Sequence, residues 1–172
     1  MFKKGLGFIK EPYRTVIQNL LSALIRLYGD NLTSLVIYGS VARGNPRMDS
    51  DIDMLVIFEE LPKPMSDRIR MFEKAEDEVQ LLLDELLNRG YAITLSPLIK
   101  TREEAERFSP LYLDMTEDAV IIYDKGGFFE GVLTRIINRL RELGAVRVWV
   151  SDRAWYWVLK KDYKFGEVIE IE

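Results

Sequence analysis

The chain has 172 residues, 48% of them hydrophobic and 30% charged, with a net charge of −4. That is enough sequence for one domain with a sizeable core, and the mild acidity argues against broad, non-specific nucleic-acid binding. There is no cysteine and no histidine, which excludes disulfides, thiolate chemistry, Ser-His-Asp catalysis and most zinc-site designs; carboxylate, hydroxyl and lysine chemistry remain. Met1 to Lys10 carries lysines without a following apolar run of signal-peptide length, and nothing approaches the ~20 apolar residues of a spanning helix. A cytoplasmic location is therefore expected.

Pro12 opens a helical pattern with Val16, Ile17, Leu20, Leu21, Leu24 and Leu27 on one side and Gly29 at the C-terminal cap. Leu35 to Tyr38 reads as a buried strand that stops at Gly39. Ser40 is placed to cap a short helical turn, Val41-Ala42-Arg43, that ends at Gly44. Ile52 to Phe58 is the next strand, closed by Glu59-Glu60 and by the prolines at 62 and 64.

Ser66 can cap a long helix carrying Ile69, Phe72, Val79, Leu82, Leu83 and Leu86, which closes at Gly90. Strand, helix and strand in that order predict a crossover onto the same sheet. Tyr91 to Ser96 is the expected third strand, limited by Pro97. Thr101-Arg-Glu-Glu104 has the spacing of a capping box, so a short helix should run to Phe108, with a further helical turn over Leu111 to Met115. Ala119 to Tyr123 reads as a fourth strand. Phe129, Val132, Leu133, Ile136, Ile137 and Leu140 then form a last helical stripe capped at Gly144. Arg147 to Val150 and Tyr156 to Leu159 read as short strands joined by a polar turn.

The chemistry concentrates between residues 39 and 53. Gly39 lets backbone come close to a ligand, and a helix start beside a hydroxyl is a seat for phosphate. Asp51 and Asp53 alternate at the entrance of a strand, so both carboxylates project from one face, roughly 7 Å apart at the backbone. Two such acids suit Mg²⁺, which takes one or two carboxylates plus substrate phosphates and water. A calcium loop starting at Asp49 is excluded, because its sixth position needs glycine and holds Met54. Arg43 can either touch a phosphate or hold the loop by pairing with Asp49 or Asp51. Asp49 and Ser50 read as loop formers.

Gly39-Ser40, ten intervening residues and Asp51-Ile-Asp53 resemble the signature of polymerase-beta-like nucleotidyltransferases. The likeness is greatest to the minimal nucleotidyltransferases (MNT) that accompany HEPN-domain proteins, in their archaeal form. The resemblance implies an α/β (α+β) nucleotidyltransferase fold: a mixed β-sheet with helices packed on it, and a small C-terminal helix/strand extension. Residues 1–125 would be the core and 126–172 the extension. It also implies AMP transfer from ATP to a hydroxyl, with a HEPN toxin as acceptor. Asp51 and Asp53 would serve as catalytic and metal-binding residues for Mg²⁺ (or Mn²⁺), and Gly39, Ser40 and Arg43 as nucleotide-binding residues.

Active members resemble one another in a third acid on the neighbouring strand. Here that place falls within Tyr91 to Ser96, where Thr94 and Ser96 share a face and neither is acidic. Asp114, Asp118 and Glu104 are the acids that could substitute. The alternative to an enzyme is therefore an MNT-fold antitoxin, weak or inactive in catalysis, that acts by binding its HEPN partner. The tail aromatics Trp149, Trp155, Tyr156, Trp157, Tyr163 and Phe165 read either as an edge of the core or as a docking surface.

Overall fold

The structure, a computed structural model, describes residues 1–152, 154–164 and 166–171. Its central sheet has five strands: β1 (Lys3–Lys4), β2 (Leu32–Ile37), β3 (Ile52–Phe58), β4 (Leu95–Thr101) and β5 (Val120–Asp124). They lie in the order β1-β5-β2-β3-β4. The β2 strand runs antiparallel to both its neighbours, whereas β1–β5 and β3–β4 are parallel, so the sheet is mixed.

Alternation along the strands divides the core into two layers. Leu35, Ile37, Met54, Val56 and Phe58 face α1 (Tyr13–Tyr28) and two later helices, α3 (Met65–Asp77) and α4 (Gln80–Asn88). Val36, Leu55, Ile57 and Ile121 face the other way. They meet α5 (Arg102–Glu106), α6 (Leu111–Asp118) and α7 (Phe128–Leu143), which contribute Ala105, Tyr112, Met115, Phe129, Val132 and Leu133. Asp53 shares its parity with Leu55 and Ile57, so its side chain belongs to the α6 face. Beyond α7, β6 (Val146–Ser151) and β7 (Ala154–Val158) form a separate antiparallel hairpin.

The helical stripe of α7, that of α1 except for Leu27, which is exposed in its last turn, the crossover from β3 to β4 and the capping box at Thr101 and Glu104 form as the sequence predicts. Four other details differ. The β2 strand begins at Leu32, because Thr33 and Ser34 are fully buried and the Ser34 hydroxyl donates to Asp124 at 2.6 Å. The long helix expected after Pro64 is broken: the Val79 N–H bonds to the Glu76 carbonyl, three residues back, which tightens the turn and puts Val79 in the core.

The third strand runs from Leu95 through Pro97 to Thr101 instead of spanning Tyr91 to Ser96. As β4 is a sheet edge, a missing N–H is tolerated there. Finally, neither predicted serine cap forms. Pro64 and Tyr38 occupy the cap positions of α3 and of α2 (Gly39–Arg43), and no side chain caps either helix. Among the described residues no helix is long and apolar enough to cross a membrane.

Candidate active site

β2 delivers the chain to the site, and a turn at Gly39 starts α2. Gly39 has φ +72°, a left-handed conformation that glycine adopts without the clash a Cβ brings. The second reason for glycine is the neighbour: a Cβ here would stand 2.1 Å from Asp53 Oδ2 and 3.1 Å from Asp53 Cγ. The Asp53 carboxylate therefore lies directly against the Gly39 backbone. The Tyr38 N–H donates to the Asp53 carbonyl at 3.0 Å, which ties the corner to the start of β3. Val41 and Ala42 are buried, and α2 ends in a left-handed Gly44 whose N–H reaches the Val41 carbonyl.

The loop from Asn45 to Ser50 is built by its own polar groups. The Arg47 N–H donates to Ser50 Oγ at 2.8 Å, and the Asn45 N–H to the Ser40 carbonyl at 3.2 Å. The buried Tyr13 of α1 adds a hydroxyl hydrogen bond to the Arg47 carbonyl. Ser50 is thus a loop former, as its residue type suggests. A cavity of about 160 Å³ opens over this loop, lined by Ser40, Arg43, Asn45, Arg47, Ser50 and Asp152. With two arginines, two hydroxyls and an amide against one carboxylate, its chemistry suits an anion.

Asp51 is exposed and Asp53 is half-buried. Burial pushes the Asp53 carboxyl above its ordinary range and the Asp51 charge pushes the same way, whereas Arg43 opposes both. Burial and then the Asp53 charge also raise the Tyr38 phenol. Gly39, Ser40, Arg43, Asp51 and Asp53 are in this way brought to one region. Arg43 does not make the pairing with Asp49 or Asp51 that the sequence allowed. Its carboxylate neighbour is Asp118, at 4.0 Å.

Ser96 is the register partner of Asp53 across the parallel β3–β4 pair, so a hydroxyl occupies the position beside the acids. The three other acids are engaged elsewhere. Glu104 completes the capping box and receives Arg68 at 2.8 Å. Asp114 accepts the indole N–H groups of Trp155 and Trp157 at 2.7 and 2.9 Å. Asp118 is held by both guanidinium nitrogens of Arg147, at 2.6 and 3.1 Å. Among the described residues no group of three or more acids is gathered as a metal cluster.

Of the tail aromatics, Trp157 packs against the second core layer, whereas Trp149, Tyr156 and Tyr163 are exposed; Phe165 lies outside the described residues. The approach of Trp155 and Asp152 to the site was not readable from the sequence. The one hint was the alternation of Trp155 and Trp157, which puts both indoles on one face of a strand.

The family of nucleotidyltransferase domains matches residues 17–126. A Methanocaldococcus jannaschii protein with a provisional protein-adenylyltransferase name is 32% identical over 133 residues, covering 74% of this chain and 85% of its own. Among solved structures, a toxin-antitoxin with AMP-PNP aligns at 17% identity and a TM-score of 0.45, over 73% of this chain and 88% of that one. A complex of tri-AMPylated Shewanella oneidensis HEPN toxin with an MNT antitoxin aligns at 16% identity and a TM-score of 0.37, over 75% and 92%. The assignment rests on the first two of these findings, which agree with the corner-and-acids geometry: the chain belongs to the nucleotidyltransferase domain family.

Proposed function

We propose that this nucleotidyltransferase moves AMP from ATP to a hydroxyl of a protein partner, a HEPN-domain toxin. Asp51 and Asp53 would hold Mg²⁺ (or Mn²⁺), and Gly39, Ser40 and Arg43 would receive the phosphates. The observation that carries the reading is the Asp53 carboxylate packed on the Gly39 backbone, beside the arginine- and hydroxyl-lined cavity. The name of the M. jannaschii relative supports an adenylyl donor and a protein acceptor.

Asp51 and Asp53, two carboxylates at the entrance of β3, would suit a hard divalent cation, which takes oxygen ligands. Such an ion, when bound, supplies neutralisation of the charge on the phosphate oxygens. The protein's own part is placement. Gly39 permits close approach of the phosphates, Arg43 offers a planar fork of N–H donors, and the half-buried Asp53 is fixed by the corner.

A second reading, an antitoxin that neutralises its partner by binding alone, is favoured by Ser96, which cannot serve as a base beside Asp53 at neutral pH. Labelled ATP, Mg²⁺ and a candidate HEPN partner separate the two. Label on the partner that disappears with Asp53→Asn supports the enzyme. A tight unlabelled complex supports the binding module. Label that persists in Asp53→Asn would mean that other acids carry the reaction.

A further inference from the structure

The β6–β7 hairpin lies beyond the residues matched by the family, yet it touches the candidate site twice. Asp152, in its turn, lines the cavity over Ser40 and Arg43, and the Trp155 ring lies 5.0 Å from the Arg43 guanidinium. We propose that this hairpin is a wall of the nucleotide site and that Trp155 is a positioning residue, holding Arg43 with its N–H fork free for a phosphate. The proposal rests on the nucleotide reading above and deepens it.

The hairpin is a firm platform. Arg147 and Asp118 form a two-pronged ion pair whose side chains are only 12% and 14% exposed, and Trp157 donates to Asp114 from the same hairpin face. Arg147 also stacks on Trp149 and Trp155, at 4.8 and 5.4 Å. Trp155 is therefore fixed by contacts that do not involve Arg43.

Arg43, by contrast, ends a five-residue helix, and a long side chain there has many rotamers to lose. An aromatic ring engages a guanidinium through its face, which leaves the in-plane N–H groups available. A close carboxylate would occupy that fork. The nearest one among the described residues, Asp118, stands off at 4.0 Å, already committed to Arg147 on both oxygens. The arrangement leaves Arg43 beside the cavity with a ring against its guanidinium and only a long ion pair, to Asp118, on its fork.

The test is calorimetric titration of the whole chain with Mg·ATP. Trp155→Ala should weaken binding about fivefold, with the hairpin still anchored by Trp157 and Arg147. Trp155→Phe keeps a ring over Arg43 but removes the N–H that bonds Asp114, so it should bind within about twofold of the unaltered protein. Arg43→Ala should weaken binding at least as much as Trp155→Ala, and adding Trp155→Ala to it should cost nothing further.

Additive losses, no rescue by Phe, or a Trp155→Ala protein that binds normally would each overturn the positioning role while leaving the nucleotide site intact. An unaltered protein that does not bind Mg·ATP would overturn both readings.

Discussion

The contact between Gly39 and Asp53 gives the most direct test of the site, through Gly39→Ala. The added Cβ would stand 2.1 Å from Asp53 Oδ2, where real Cβ contacts are not found below 3.0 Å, so the carboxylate must retreat by about 1 Å. At φ +72° an L-residue costs about 1–2 kcal/mol, and forcing the aspartate off its rotamer adds about 0.5–1.5 kcal/mol. The expected loss is about 2–3 kcal/mol, a fall of roughly 5–10 °C in Tm for a domain of this size. A displacement of about 1 Å in a reacting group lowers transfer on the order of 100-fold.

Urea unfolding should be compared in two backgrounds, because the two costs separate. With Asp53→Ala already present the carboxylate is gone and only the residue 53 Cβ remains, at 3.3 Å, so Gly39→Ala should cost little beyond the backbone share of about 1–2 kcal/mol. Equal costs in both backgrounds would refute the reasoning, as would a Gly39→Ala protein with unaltered transfer.

Ser96→Asp, at the register position beside Asp53, should lower the Mg²⁺ concentration for half-maximal transfer severalfold; an unchanged requirement would mean that residue 96 does not share the acids' face. The hydrogen bond from Arg68 holds the Glu104 carboxyl below its ordinary range against the opposing effect of burial, with the Thr101 N–H adding to it. Its contribution is thus complete above the ordinary glutamate range and is lost as pH falls through the lowered value. Glu104→Gln should cost about 1 kcal/mol at pH 7, a figure kept low because the side chain is 39% exposed. That deficit should shrink as pH is taken below the ordinary glutamate range, and a deficit that stays the same in acid as at pH 7 in urea titrations would contradict it. Leu20→Ala, at a fully buried position of α1, should cost about 2–5 kcal/mol by the same assay.

What could be read from the sequence was local. The stripe of α7, that of α1 short of Leu27 and the capping box each depend on a period of a few residues, so the spacing alone specified them. The start of β2 was hidden because Thr33 and Ser34 look like loop residues. The buried Ser34 hydroxyl finds its partner in Asp124, on another strand. Pro97 looked like a strand terminator until the topology put it on an edge.

In the candidate site, the corner and the two acids were legible, and so was the want of an acid where β4 passes Asp53. The surroundings of Arg43 were not. Asp118 and Trp155 come from elements remote in sequence, and no spacing links them to residue 43.

The helix that roofs the second sheet face has a consequence for what counts as the smallest working version of this protein. The matched stretch ends at residue 126, but α7 follows it and completes the cover that α5 and α6 begin over Val36, Leu55, Ile57 and Ile121. A gene cut at the end of the recognisable motif would encode a sheet with part of one greasy side, the part under Phe129, Val132 and Leu133, open to water and prone to stick to whatever is near. A working shortened version should therefore keep α7 as well as the corner and the acids.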